Sequence, residues 1–384
     1  MHRIVVSALA CLTLAAAAVP AGAAPVTGPD ASGASRLRMA WSVTPKMGVG
    51  TAPVYLAGST YHLEGVRDPT NARSLLRVVR HDAGTGRALS FATGAIESIM
   101  PYKPVTSGST LFVTTYREDT QIRAFRPDGR LLSMQKQPGQ QHPNPPLLSG
   151  SLLITVSRSE CEVDCKHTTV FGWRVSDGSP VWSYTLPGGY VKLTTTAGYA
   201  AVMINTLSTI TMTSTNTMTV LDTTTGKPLW SRPVEGGSGF ALDGKHAYVS
   251  RGSIRAYGIR DGEPAWTGAD GGYNAVHTSP YGIFATSGDT TAAYDSTGRR
   301  RWWSRIHPRS TLTVDTGIVY FQQSPNGRAR GAAYLAAMRA STGKLLSRTK
   351  ISDGGSIGDV AVGGGRVFTK VLLERIVAFA PARR

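Results

Sequence analysis

A ten-residue pattern recurs along this 384-residue chain and limits what the chain can fold into. Its clearest copies are Ala293-Tyr-Asp-Ser-Thr-Gly-Arg-Arg-Arg-Trp302 and Leu221-Asp-Thr-Thr-Thr-Gly-Lys-Pro-Leu-Trp230. Each reads as a β-hairpin. A strand runs into an Asp whose side chain accepts from backbone two residues on. A Gly then takes the positive φ without steric cost, and the second strand carries the Trp. The turn Gly, followed four residues later by Trp or by Ser in its place, occurs at Gly86 (Ser90), Gly129 (Ser133), Gly178 (Trp182), Gly226 (Trp230), Gly262 (Trp266), Gly298 (Trp302) and Gly343 (Ser347). A second signal, a Gly turn before a short apolar strand, occurs at Gly58, Gly108, Gly150, Gly198, Gly244, Gly317 and Gly365, and Pro280 takes the same slot before Ile283.

The first signal counts seven units and the second counts eight, and the mismatch is informative. The eighth unit has an inner strand, Ile376-Val-Ala-Phe379, but the chain ends before an outer strand can follow. At the other end Leu37-Arg-Met-Ala-Trp41-Ser-Val43 is an outer strand, with its Trp, that belongs to no unit. Joining the two leaves no orphan strand and no open sheet edge. Period-two alternation is the rule and no stretch shows a sustained helical period. The expected fold is therefore all-β: an eight-bladed β-propeller of four-stranded antiparallel blades, closed by pairing the N-terminal and C-terminal strands. It occupies residues 36–384 as one domain, with residues 24–35 a disordered lead-in.

Residues 1–23 read as a secretory signal peptide, with a basic start, a short apolar run and the small residues Ala21-Gly22-Ala23 at the cut. The run is shorter than the about 20 residues of a membrane span, so no transmembrane helix is expected in the mature chain. Cys11 as a lipidated residue would cut the apolar run in half, which disfavours a lipoprotein. The expected location is extracellular or wall-associated. Cys161 and Cys165 then remain, and an exported pair so spaced reads as a disulfide; half a metal site with His167 is the other reading. The net charge of +17 attracts anionic polymers and headgroups. The basic residues are scattered Arg without a nucleic-acid motif, so no specific nucleic-acid binding is expected.

The pattern Ala-x-Asp-x-x-Thr-Gly-x-x-x-Trp, seen at Ala293–Trp302 and with variants at Val220–Trp230 and Ala337–Ser347, resembles the PQQ-like (pyrroloquinoline quinone) propeller repeat. The resemblance covers nearly the whole mature chain and is closest in kind to the non-catalytic BamB-like propellers. It implies eight four-stranded blades with the Trp packed between neighbours. The family also includes quinoprotein dehydrogenases. For those it implies adjacent cysteines against the quinone and a calcium held by acidic and amide residues, and this chain has no adjacent cysteines.

Trp41, Trp182, Trp230, Trp266 and Trp302 share one repeat phase with Gly226, Gly262, Gly298 and Gly343, which favours blade-to-blade packing over ligand stacking. Function should lie where repeats differ. The insertions fall in the slot between the second and third strands (B–C) of blades one, three, four and seven: Gly65–Ser74, Ser157–His167, Asn205–Thr217 and Gln322–Ala332. These share a face with the inter-blade (D–A) segments. On it Glu160, Glu162, Asp164, His167, Arg328 and Arg330 are candidate binding residues for a cation, a carboxylate or a phosphate. Gly pairs at Gly188-Gly189, Gly236-Gly237, Gly271-Gly272 and Gly354-Gly355 let backbone crowd the channel mouth. Gly354-Gly-Ser356-Ile-Gly358 matches a nucleophile elbow in letters but has no helix to follow it. The expectation is a monomeric, non-catalytic scaffold for a protein or an anionic cell-envelope polymer, without a resident cofactor. Two alternatives stand beside it: a quinone-dependent dehydrogenase with calcium, and a hydrolase or lyase using His142, His277 or His307 as base.

Overall fold

The repeat turn is locked by its Asp. Asp82 Oδ1 accepts from the Thr85 amide and hydroxyl, both at 2.8 Å, and Asp222 Oδ1 accepts from the amides of Thr224 (2.8 Å) and Thr225 (3.2 Å). The neighbouring Thr hydroxyl contributes most to holding each carboxyl below the usual carboxylate range. The glycines that follow take φ of +74° (Gly86), +72° (Gly226) and +85° (Gly298).

These turns join strands of a propeller. The computed structural model describes residues 37–381 apart from 46–49, 68–73, 92–95, 98–101, 117–119, 138–144, 159–166, 208–213, 236–238, 307, 325–330, 355–357 and 373. Eight antiparallel sheets follow one another, each a four-stranded meander. Blade 1 carries one short extra strand, Ile96–Glu97, on Ser74–Asp82. Blade 8 takes three strands from the C-terminal end, Val360–Gly363, Arg366–Val371 and Arg375–Pro381, and its outer strand from the N-terminal end, Leu37–Val43. The closing register pairs Leu37 with Pro381, Trp41 with Ala378 and Val43 with Ile376.

A bulge immediately before the Trp position marks the outer strand. The ladder skips Ala40, Leu132, Val181, Leu229, Ala265, Arg301 and Leu346. Each stands one residue before Trp41, Ser133, Trp182, Trp230, Trp266, Trp302 or Ser347. An extra residue bends and re-aims a strand. Here it turns the Trp into the seam and leaves Leu132, Val181 and Leu229 exposed. The N-terminal strand shares this bulge, so it is an outer strand of the same repeat.

Each indole then lies on the turn Gly of the next blade. A Cβ on Gly226 would stand 2.5 Å from Trp182, one on Gly262 2.7 Å from Trp230, one on Gly298 2.6 Å from Trp266, and one on Gly343 2.6 Å from Trp302. Trp41 covers Gly86 across the closure in the same way. The indole N–H donates to a backbone carbonyl of that turn: Ala83, Thr223, Ile259, Ser296 and Ala340, at 2.6–3.1 Å. Blade 7 carries Ser347 instead. Blade 8 has no such turn, because its outer strand comes from the other end of the chain. Ser347 Oγ accepts from the Leu37 amide at 3.1 Å.

The seam between blades 8 and 1 is unusual. His62 and His81 stack in parallel, 5.4 Å between centroids, with Trp41 6.4 Å from His81. Both imidazoles are buried, and neither nitrogen of His62 nor Nδ1 of His81 has a hydrogen-bond partner. Burial first, then the nearby His62, pushes His81 down to about 4.

Two predictions follow from the seams. Gly343→Ala combines a left-handed φ with a clash against Trp302, whereas Gly58→Ala has φ of +75° and open space. Urea unfolding should show a cost of about 1–2 kcal/mol for G58A and about 1–3 kcal/mol more for G343A; equal costs would contradict the docking role of Trp302. The second concerns pH. The unfolded chain protonates His81 below about 6.5, the folded protein only near 4. Between those values the unfolded state holds more protons, so stability falls as pH drops from 6.5 to 4, by up to about 3 kcal/mol. His81→Phe should flatten that limb of the stability profile.

Candidate functional site

A four-stranded meander puts the first and third turns of every blade on one face and the B–C and D–A connections on the other. On this second face the hairpin strands lengthen where the chain carries insertions. Ser59–Arg67 with Ser74–Asp82, and Tyr199–Leu207 with Ser214–Asp222, run nine residues each, against Gly282–Thr286 and Thr291–Tyr294 in blade 6. His167 opens the strand His167–Arg174 and is exposed. Cys161, Cys165, Glu160, Glu162, Asp164, Arg328 and Arg330 lie outside the described residues, as do His142 and His307.

The same face holds a cavity of about 470 Å³ at the channel mouth. Its walls are the segments that enter the innermost strands: Gly50, Thr51 and Ala52 before blade 1, Lys103 before blade 2, Arg309, Ser310 and Thr311 before blade 7, and Gly358 and Asp359 before blade 8. Lys370, near the end of the second strand of blade 8, completes it. Asp359 accepts from the Thr311 hydroxyl (2.5 Å) and from Lys103 Nζ (3.4 Å). Burial lowers the Lys370 ammonium below the usual lysine range, opposed by the Asp359 charge. His277, on the inner strand Ala275–Ser279 of blade 6, is pushed down to about 4 by burial, again against the pull of Asp359. It is a neutral ring at neutral pH.

Gln322 fastens these walls to one another. Its Oε1 accepts from the Gly358 amide (3.1 Å), and its Nε2 donates to Thr369 Oγ1 (2.6 Å) and to the Lys370 carbonyl (2.8 Å). Its own amide donates to Ser310 Oγ (2.8 Å), and its carbonyl accepts from the Arg309 amide (2.7 Å). Gln322 is fully buried. It is the first residue of the blade 7 insertion, but Lys103, Arg309, Asp359 and Lys370 lie in no insertion. The signal that would have found them is repeat phase: all but Lys370 stand one to four residues before an innermost strand.

Residues 189–290 match the family model described as outer membrane protein assembly factor BamB. The chain is an eight-bladed β-propeller, and across residues 189–290 its repeats match that PQQ-like model. The crystal structure of BamB from Moraxella catarrhalis superposes with a TM-score of 0.57 over 90% of this chain and 99% of that chain, at 15% identity. A europium-containing methanol dehydrogenase superposes with 0.60 over 90% and 93%, at 12% identity. A quinohemoprotein alcohol dehydrogenase from Comamonas testosteroni gives 0.61 over 91% and 77%, at 12% identity. No curated protein sequence matches the chain. At these identities the likeness is one of fold.

The cavity fits a pyrroloquinoline quinone poorly. Among the described residues no aromatic side chain lines it, and the repeat indoles are committed to the blade seams. Among the described residues no three His, Cys, Asp or Glu side chains converge as metal ligands.

Gln322→Ala would strand the Gly358 amide and take one partner each from the Lys370 carbonyl and the Thr369 hydroxyl, which still donates to the Asp359 carbonyl at 3.2 Å. Thermal or urea unfolding should show a loss of about 2–4 kcal/mol, since each buried polar group left unpaired costs about 1–3 kcal/mol. A loss below 1 kcal/mol would mean that water replaces the amide.

Proposed function

We propose that this protein is a non-catalytic binding scaffold, exported by its N-terminal segment and acting as a monomer, that takes a protein or an anionic cell-envelope ligand on its B–C/D–A face. The observation that carries the reading is the coincidence on one face of the lengthened hairpins and the basic channel mouth. The polar groups there are spent on fastening loops: Gln322, Thr311 and Asp359 each hold a neighbouring segment. Of His142, His277 and His307 only His277 is described, and it sits on an inner strand, its ring held neutral by burial, rather than on an inter-blade loop. The likeness to BamB, an outer membrane protein assembly factor, supports protein binding as the mode. The dehydrogenase alternative draws support from fold likeness to two dehydrogenases, one of them a quinohemoprotein, and loses it at the described cavity lining.

The test uses photo-crosslinking side chains at His167 and Thr215 on the loop face and at Lys227 and Arg299 on the opposite face, all exposed. In the native envelope the loop-face positions should give discrete adducts at least ten times more abundant than the opposite face. Equal labelling of both faces would sink the proposal. In parallel, pyrroloquinoline quinone with calcium should leave the melting temperature unchanged; a saturable rise would restore the dehydrogenase reading.

A further inference from the structure

The surface that blade 1 turns toward blade 8 is polar where its counterparts are apolar. Counted from the first hairpin turn, Leu111 and Val113 of blade 2 and Ala200, Val202 and Ile204 of blade 4 are buried against the preceding blade. The matching residues of blade 1 are Thr60, His62 and Glu64, all buried. Arg77 donates to Glu64 at 2.7 Å. Thr60 Oγ1, both nitrogens of His62 and Nδ1 of His81 have no hydrogen-bond partner. Buried polar groups without partners cost stability. The seam that closes the ring therefore forgoes stability that the apolar seams of blades 2 and 4 keep.

The same seam holds the strand Leu37–Val43, which is continuous in sequence with blade 1 but completes blade 8. Its ladder to Arg375–Pro381 is interrupted by the bulge at Ala40. Blade 7 adds two bonds to Leu37, from its amide to Ser347 Oγ (3.1 Å) and from Thr349 Oγ1 to its carbonyl (3.0 Å). Of its side chains only Leu37 and Trp41 are buried, so Trp41 carries a large share of its anchorage. The indole covers the imidazole pair, 6.4 Å from His81 and 5.9 Å from Phe368, with its N–H on the Ala83 carbonyl at 3.0 Å.

An imidazolium is poorly served under this cover. The charged groups around His81 are Glu64 with Arg77 on the strands of blade 1, Asp82 and Arg87 of the adjoining turn, and Arg366 of blade 8, which donates to the Gly84 carbonyl at 3.2 Å. Burial, then His62, outweighs the pull of Glu64 toward a charged His81.

We propose that the strand Leu37–Val43 is an acid-operated latch: protonation of His81 lifts Trp41 from the seam and releases the strand from blade 8 while the other blades stay folded. Such a latch is independent of the scaffold reading. In the closed ring His81 takes up a proton only near 4, and once exposed near 6.5. Release is therefore favoured as pH falls between these values, about thirtyfold at pH 5.0 relative to pH 7.5.

The test is hydrogen exchange of the full mature chain, read by mass spectrometry at pH 7.5 and 5.0 and normalised to the intrinsic rate at each pH. Protection of Leu37–Val43 should fall at least about tenfold at pH 5.0. It should then lie at least about a hundredfold below that of the blade 5 strand His246–Arg251, which marks opening short of global unfolding. His81→Phe should abolish the pH response, and His62→Phe, which leaves His81 in place, should keep it. Melts at pH 7.5 verify that each variant folds; if His81→Phe does not, His81→Gln replaces it. Unchanged protection of Leu37–Val43 at pH 5.0 would overturn the proposal. So would equal protection of the two strands there, or a tenfold drop that survives the loss of His81.

Discussion

The propeller depends on one contact made repeatedly: an indole laid flat on the glycine turn of the following blade, with its N–H donated to a carbonyl of that turn. Trp302 on Gly343, bonded to Ala340, is representative. The contact explains three sequence features together. The Gly must lack a Cβ because the ring occupies that space, the turn must adopt a left-handed φ, and the residue before the Trp must bulge out so that the ring faces the seam. A blade cannot bury its own faces, so the seams supply what each sheet lacks alone.

Closure follows from the same contact. The N-terminal strand bulges at Ala40 and sends Trp41 onto Gly86. It is the missing outer strand of the last blade in register and in seam chemistry. The one place where an indole would have had no turn to meet carries Ser347, whose hydroxyl takes the Leu37 amide instead. Nearer the axis, inner strands are joined by threonine hydroxyls, as when Thr278 donates to the Leu242 carbonyl and Thr313 to the Val360 carbonyl. The ring is thus fastened at its rim by indoles and around its channel by hydroxyls.

Such a frame leaves function to the connections. The rigid strands fix where each D–A segment enters the channel mouth, and a charge on any of them is aimed at the same small volume. Gln322 shows how the fold secures this region, since one buried residue bonds through its side-chain amide to two segments and through its backbone N–H to a third. A site assembled in this way is held by the scaffold and specified by a few side chains at the ends of strands.

The sequence by itself determined the all-β class, the count of eight, the closure by Leu37–Val43 and the seam role of the five tryptophans. Each is a local pattern repeated in phase, and repetition multiplies a weak signal. It also pointed to the B–C/D–A face through its insertions; Glu160, Glu162, Asp164, Arg328 and Arg330 there lie outside the described residues, and the described charged residues that line the cavity, Lys103, Arg309, Asp359 and Lys370, belong to no insertion. Only the tertiary structure decided that Lys103 meets Asp359, 256 positions away, and that both face Arg309 and Lys370. The stacking of His62 on His81 at the closure seam likewise has no local signature. The physical reason is common to both. Local patterns encode which way a strand turns and which face it buries, whereas convergence at the axis depends on closing a ring of eight blades, which brings the first and last blades into contact.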